Sequence, residues 1–249
     1  MSIREFNNEV KKELKSKDFL CKNHYGKCLN FWKDNISMAI YPIQEKVLNE
    51  IWNDKNFSEP KEENIRFKCV ILDRYYSTNL KEGLYRKGSE TKEKHPIVTD
   101  KIDKCFIEKV KSVRKDENEK VVSLVEHLSP VYSKNAKNKE YRKTVTSFAS
   151  KFCSRYNPEA FPIYDKLVRR MLYLINQNPE YCFSEERITW GSLVNNYGNY
   201  KRTVDLFMEK FRTELPEMKT YKDFDMYMWS WAKMVLNDIN DDVDDSELQ

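Results

Sequence analysis

Asp165 stands between two helix-forming stretches, behind a turn closed by Pro158 and Pro162, and lies near Lys151, Arg155, Lys166, Arg169 and Arg170 in sequence. A lone carboxylate on a rigid corner among cations can cap a helix, or it can act as a charged acceptor where an anionic ligand is held. The region Lys134–Arg170 holds ten basic residues (Lys134, Lys137, Lys139, Arg142, Lys143, Lys151, Arg155, Lys166, Arg169 and Arg170) against Glu140, Glu159 and Asp165. Such a local excess reads as a polyanion-binding surface, and equally as a solvated face in a chain that is 34% charged. The formal net charge of +4 conceals this asymmetry, because residues 236–249 carry six acids and no Lys or Arg. That acidic tail reads as disordered.

Other chemistries lack their minimum parts. His24, His95 and His127 are scattered, with no nucleophile motif around a serine or cysteine. There is no glycine-rich phosphate loop, GxGxxG or HExxH. Cys21-x-x-His24-x-x-x-Cys28 offers three metal ligands without a fourth, so no metal site and no cofactor is assigned. The six cysteines have no CxxC spacing, no secretory signal precedes them, and no apolar run approaches the roughly 20 residues that span a bilayer. These features read as a cytoplasmic protein with reduced thiols and no membrane partner.

The elements that must position Asp165 are helical. Val145, Phe148, Ala149, Phe152, Cys153 and Tyr156 follow one helix face, leaving Ser147, Lys151 and Arg155 on a face that reads as wet and basic. Asp165 falls at the N-cap of a second helix carrying Val168, Met171, Leu172 and Ile175. Further stripes are Phe6-Val10-Leu14, Ile43-Val47-Leu48-Ile51-Trp52, Ile65-Cys69-Leu72-Tyr76, Ile102-Cys105-Phe106-Val110, Val121–Leu128, Val204-Phe207-Met208-Phe211, and a last one through Trp231 that starts at Thr220-x-x-Asp223. With only 5 glycines and no Asn-Gly or Asp-Gly hairpin signal, the chain reads as all-α. Residues 1–235 read as one compact body, or two helical lobes with a cleft. Ser133–Arg142 reads as a basic connector and Lys81–Asp100 as a loop.

Two segments carry a family resemblance. Val70-Ile-Leu-Asp-Arg-Tyr-Tyr-Ser-Thr-Asn-Leu80, and Ser147-Phe-Ala-Ser-Lys151 followed by Phe161-Pro-Ile-Tyr-Asp165, resemble in order and spacing the helix-hairpin-helix DNA glycosylase superfamily of base-excision repair, over roughly residues 64–175. The Ser-Phe-Ala-Ser-Lys … Asn-Pro … Phe-Pro-Ile-Tyr-Asp signature is also similar to that of a bacterial subgroup and brings no activity with it. The resemblance implies DNA as partner and N-glycosidic base excision, with Asp165 activating water or stabilising a positive sugar. Tyr75, Tyr76, Tyr164 and Trp229 would wall the base, and Ser77 or Asn79 would read its edge. Lys134, Lys137, Lys139, Arg142, Ser147, Arg155, Lys166, Arg169 and Arg170 would meet phosphates. Residues 133–142 contain no glycine, unlike the family hairpin. Lys143 and Lys151, the other catalytic candidates, lie about one turn to either side of the family's lyase position, held here by Thr146 or Ser147, so the resemblance implies a monofunctional enzyme, with lyase activity only on a shifted register. The alternatives are a non-catalytic nucleic-acid-binding or regulatory protein, and an interaction module whose basic face meets an acidic partner.

Overall fold

A computed structural model describes residues 2–15, 20–34, 40–76, 98–134, 140–194 and 196–246. Among these the chain is all-α apart from one hairpin: α1 (Ile3–Glu13), α2 (Lys22–Asp34), α3 (Ile40–Asn53), α4 (Glu62–Tyr76), α5 (Lys104–Ser112), α6 (Asn118–Leu128), β1 (Pro130–Lys134), β2 (Glu140–Thr144), α7 (Thr146–Tyr156), α8 (Lys166–Asn176), α9 (Trp190–Leu193), α10 (Tyr197–Lys210) and α11 (Tyr221–Ser246). The chain divides into two compact units, one of residues 1–42 with 165–249 and one of residues 43–164. Of the two arrangements expected from sequence, one body or two lobes, the division into two units matches the second in number, and the stretch resembling the glycosylases is divided between Tyr164 and Asp165.

In the unit formed by the two ends of the chain, α11 packs on α1, α2 and α8, and α8 also meets α10. Its core holds Tyr197, Tyr200, Phe207, Phe224, Tyr227 and Trp231, all at or below 1% exposure. Local chemistry starts the helices where their stripes begin. Ser2 and Glu5 close a reciprocal capping box on α1, Asn196 accepts from the Asn199 amide at α10, and Thr220 and Asp223 bond each other's amides at α11. The acidic stretch expected to be disordered has helical backbone through Ser246. Once the buried residues up to Val235 have nucleated α11, each added residue gains one backbone bond at little further cost.

In the unit of residues 43–164, α7 packs against α4, α5 and α6. Phe148, Ala149, Phe152 and Cys153 are completely buried, as the stripe predicts. Asn157 ties the unit together: its Nδ2 donates to Val110 O at 3.0 Å and Val113 O at 2.8 Å, covering carbonyls at the end of α5. The segment expected as a basic connector is instead an antiparallel hairpin, with Pro130 opposite Thr144, Tyr132 opposite Arg142 and Lys134 opposite Glu140. Val131, Tyr132, Tyr141 and Thr144 are good strand formers, and a connection longer than two residues needs no Asn-Gly pair.

Among the described residues no helix is long and apolar enough to cross a membrane. The six thiols are free, and burial pushes those of Cys28, Cys69 and Cys153 up, away from reactive thiolate. His24, suggested by spacing as a metal ligand, lies on α2 with its Nδ1 2.9 Å from the Tyr227 hydroxyl and its Nε2 3.9 Å from Cys28 Sγ. Its ring packs edge-on against Trp231, whose indole N–H donates to Glu13 at 2.6 Å. Burial first, and Lys27 second, push the imidazole from 6.5 down to about 4. The unfolded chain therefore takes up a proton near pH 6.5 that the folded chain refuses until about pH 4. Stability is full above pH 6.5 and falls as pH drops through this window, by on the order of 3 kcal/mol. Urea unfolding followed against pH should show this slope, and His24→Gln should flatten it; an unchanged slope in the variant would place the proton uptake elsewhere.

Candidate nucleic-acid interface

Asp165 is the N-cap of α8, with extended backbone and Oδ1 accepting from the Leu167 amide at 2.7 Å and the Val168 amide at 3.3 Å. The carboxylate also meets the positive end of the helix. Oδ2 makes no hydrogen bond, and no lysine or arginine makes an ion pair with the group, among the described residues. The acid is half-buried, and Lys166 beside it is exposed.

One turn along α8, two arginines lie against one aromatic ring. The guanidinium carbon of Arg170 lies 4.8 Å from the centre of the Trp190 ring, and that of Arg169 lies 5.5 Å from it. Arg169 also donates from Nε to the Asp165 carbonyl at 3.3 Å, and Arg170 donates from Nε to Asn7 Oδ1 at 2.6 Å while lying over Tyr173. Packing on a ring orients a guanidinium without neutralising it. Trp190 is itself held in place. Thr189 and Ser192 form a capping box around it, Asn199 donates to the Ser192 carbonyl at 3.0 Å, and Gln177 from the end of α8 donates to the Ile188 carbonyl at 3.2 Å. Asn176 Oδ1 accepts from the amides of Phe183 and Ser184, drawing the loop before α9 back onto α8.

The structure thus brings together Asp165, Lys166, Arg169 and Arg170 of the expected residues and adds Trp190, Tyr173 and Asn7. Trp190 carried a sequence signal, the Thr189-x-x-Ser192 box around a large aromatic residue, whereas Asn7 is a long-range contact without one.

Lys151 and Arg155 lie in the other unit and correct the expectation of a wet face. Lys151 is buried and partnered, and Arg155 is ion-paired with Glu45 and donates to Asn49 at 3.0 Å. Helix α3 covers that side of α7, which the α7 pattern alone does not reveal. Ser147 is half-buried, and its carbonyl accepts from Ser150 Oγ at 3.1 Å. Tyr164, expected to wall a base, is only 3% exposed, with its amide donating to Ser150 Oγ at 3.0 Å, so it belongs to the interior. Tyr75 is half-buried near the end of α4. Lys134, Arg142 and Lys143 lie on the hairpin strands. Trp229 is half-buried on α11, edge-on to Trp32 at 5.3 Å with Lys233 over its ring. Ser77, Asn79, Lys137, Lys139 and the side chain of Tyr76 lie outside the described residues.

A family model described as HI_0787_N: N-terminal domain matches residues 24–160, more than half of the chain. A Haemophilus influenzae protein described as "Uncharacterized protein" is 31% identical over 91 residues, a stretch covering 36% of this chain and 37% of that protein. No solved structure matches the chain.

The cap and the charge of Asp165 separate by substitution. Asp165→Ala should lower stability by about 1 kcal/mol in chemical denaturation, while Asp165→Asn, which still accepts from the α8 amides, should lose less than half of that. Equal losses would show that the cap contributes little.

Proposed function

This chain belongs to the HI_0787_N N-terminal domain family, and we propose that it is a nucleic-acid-binding protein that meets its ligand with the α8 face. The observation that supports this most is the pair of guanidinium groups stacked on Trp190 beside the exposed Lys166. Oriented cations next to a half-buried aromatic suit a phosphate backbone with an unstacked base beside it. The three adjacent cations Lys166, Arg169 and Arg170 favour DNA or RNA over a neutral partner, and the likeness to the base-excision glycosylases favours DNA.

The catalytic form of this reading assigns Asp165 to N-glycosidic cleavage. Base departure leaves a sugar with oxocarbenium character, and the water that attacks it must lose a proton. Asp165 Oδ1 is engaged with the α8 amides, which leaves Oδ2 as the oxygen to stabilise the positive sugar or orient that water. The base leaves with the bonding electron pair, water supplies the new C–O bond, and the released proton ends on the base. The second reading, binding without chemistry, is favoured by the same cap, since capping alone accounts for an aspartate at this position.

DNA affinity should fall steeply with salt, and replacing Lys166, Arg169 and Arg170 together with Gln should lower the slope of log K against log salt by roughly 2–3 and weaken binding across sequences. A slope unchanged by the triple substitution would remove the α8 face from the interface. For the chemistry, Asp165→Asn should abolish base release, read as alkali-labile sites in damaged or modified DNA, while leaving DNA affinity intact. Excision that persists in this variant would overturn the catalytic assignment, and wild-type protein that binds without releasing a base would establish the second reading.

A further inference from the structure

Lys68 occupies a position on α4 that its spacing reserves for an apolar side chain. With Ile65, Cys69 and Leu72 it lies on the face turned to the interior of the 43–164 unit, and it is only 2% exposed. Its ammonium lies 5.2 Å from the centre of the Trp52 ring and 5.3 Å from that of Tyr156, and it donates to the Tyr156 hydroxyl at 3.4 Å. No carboxylate faces it among the described residues. A second ammonium, that of Lys111, lies 5.9 Å from the centre of the same Tyr156 ring. The Trp52 indole N–H is buried and has no acceptor among the described residues.

Buried lysines are normally matched by a carboxylate, because an unpaired ammonium out of water is costly. Here the surroundings consist of π faces, N–H and O–H donors and a second cation. Ring faces recover part of the lost hydration, and Lys111 adds repulsion. Burial and then Lys111 push the Lys68 amine below its usual range. Lys111 has only a long contact of 3.7 Å to Glu108, and its side chain is 50% exposed, so it is able to turn to another anion.

We propose that Lys68, Lys111 and the Tyr156 hydroxyl form an oxyanion site in the 43–164 unit that takes a phosphate dianion, either inorganic phosphate or the terminal phosphate of a monoester. Two ammonium groups match the charge of a dianion, and the tyrosine supplies a neutral donor to a third oxygen. Trp52 and Tyr156 would exclude water from one side and strengthen the contact. The site is separate in sequence and in residues from the α8 face, and it holds whether or not that face binds nucleic acid.

The test is thermal unfolding of the full chain in phosphate against chloride at equal ionic strength. Phosphate in tenfold excess over its dissociation constant should raise the wild-type midpoint by about 3–6 °C, and Lys68→Met and Lys111→Gln should each lose most of that rise. Should Lys68→Met fail to fold, the exposed Lys111→Gln and the Lys68 Cε resonance of the wild type carry the test, since a bound dianion must raise the pH at which that amine titrates. A short 5′-phosphorylated oligonucleotide against its 5′-hydroxyl form distinguishes a monoester end from free phosphate, and a shift with either source supports the site. Absence of a shift with both, or equal shifts in wild type and variants, would overturn it.

Discussion

The interaction on which the α8 face depends is the bond from the Leu167 and Val168 amides to one oxygen of Asp165. It fixes where the helix starts, and the helical period then sets the places of Arg169 and Arg170 relative to the carboxylate. The buried face of Val168, Met171, Leu172 and Ile175 sets the rotation of the helix about its axis, and so the side on which the arginines emerge. Trp190 is fixed from the opposite direction, by Asn199, Gln177 and its own capping box. A cap and a clamped indole therefore define the face more than its total charge does.

This arrangement explains why a basic composition alone is a poor guide to function. Arg155 is committed to Glu45 and Asn49, and Lys151 is buried and partnered, although both read from sequence as part of one cationic surface with Arg169 and Arg170. Charges used up within the fold offer little to a ligand. Arg170, by contrast, is held by two rings and by the neutral Asn7 amide, which fix its guanidinium without cancelling its charge.

Much of the fold was legible in the sequence because periodicity reports burial directly. Phe148, Ala149, Phe152 and Cys153 were expected on one buried face and lie there, and the cap at Asp165 and the Thr220–Asp223 box were marked by residue type. The hairpin was hidden because its five-residue connection lacks glycine, and α2 because its buried Tyr25 and Cys28 lay within a stretch that resembles a metal-binding spacing. The candidate site was legible only in part. Asp165, Lys166, Arg169 and Arg170 stand together in sequence, but Asn7 reaches Arg170 across more than 160 positions. The pairing of Arg155 with Glu45 and Asn49 depends on a helix more than 100 positions away, which no local pattern encodes.

The most direct measurement is a two-dimensional NMR titration of the protein with a short DNA duplex, following the tryptophan indole and arginine Nε–H resonances. The account predicts shifts concentrated at Trp190, Arg169 and Arg170, with the core indole of Trp231 unmoved and the effect fading as salt is raised. DNA-dependent shifts that leave Trp190 and both arginines untouched would contradict it.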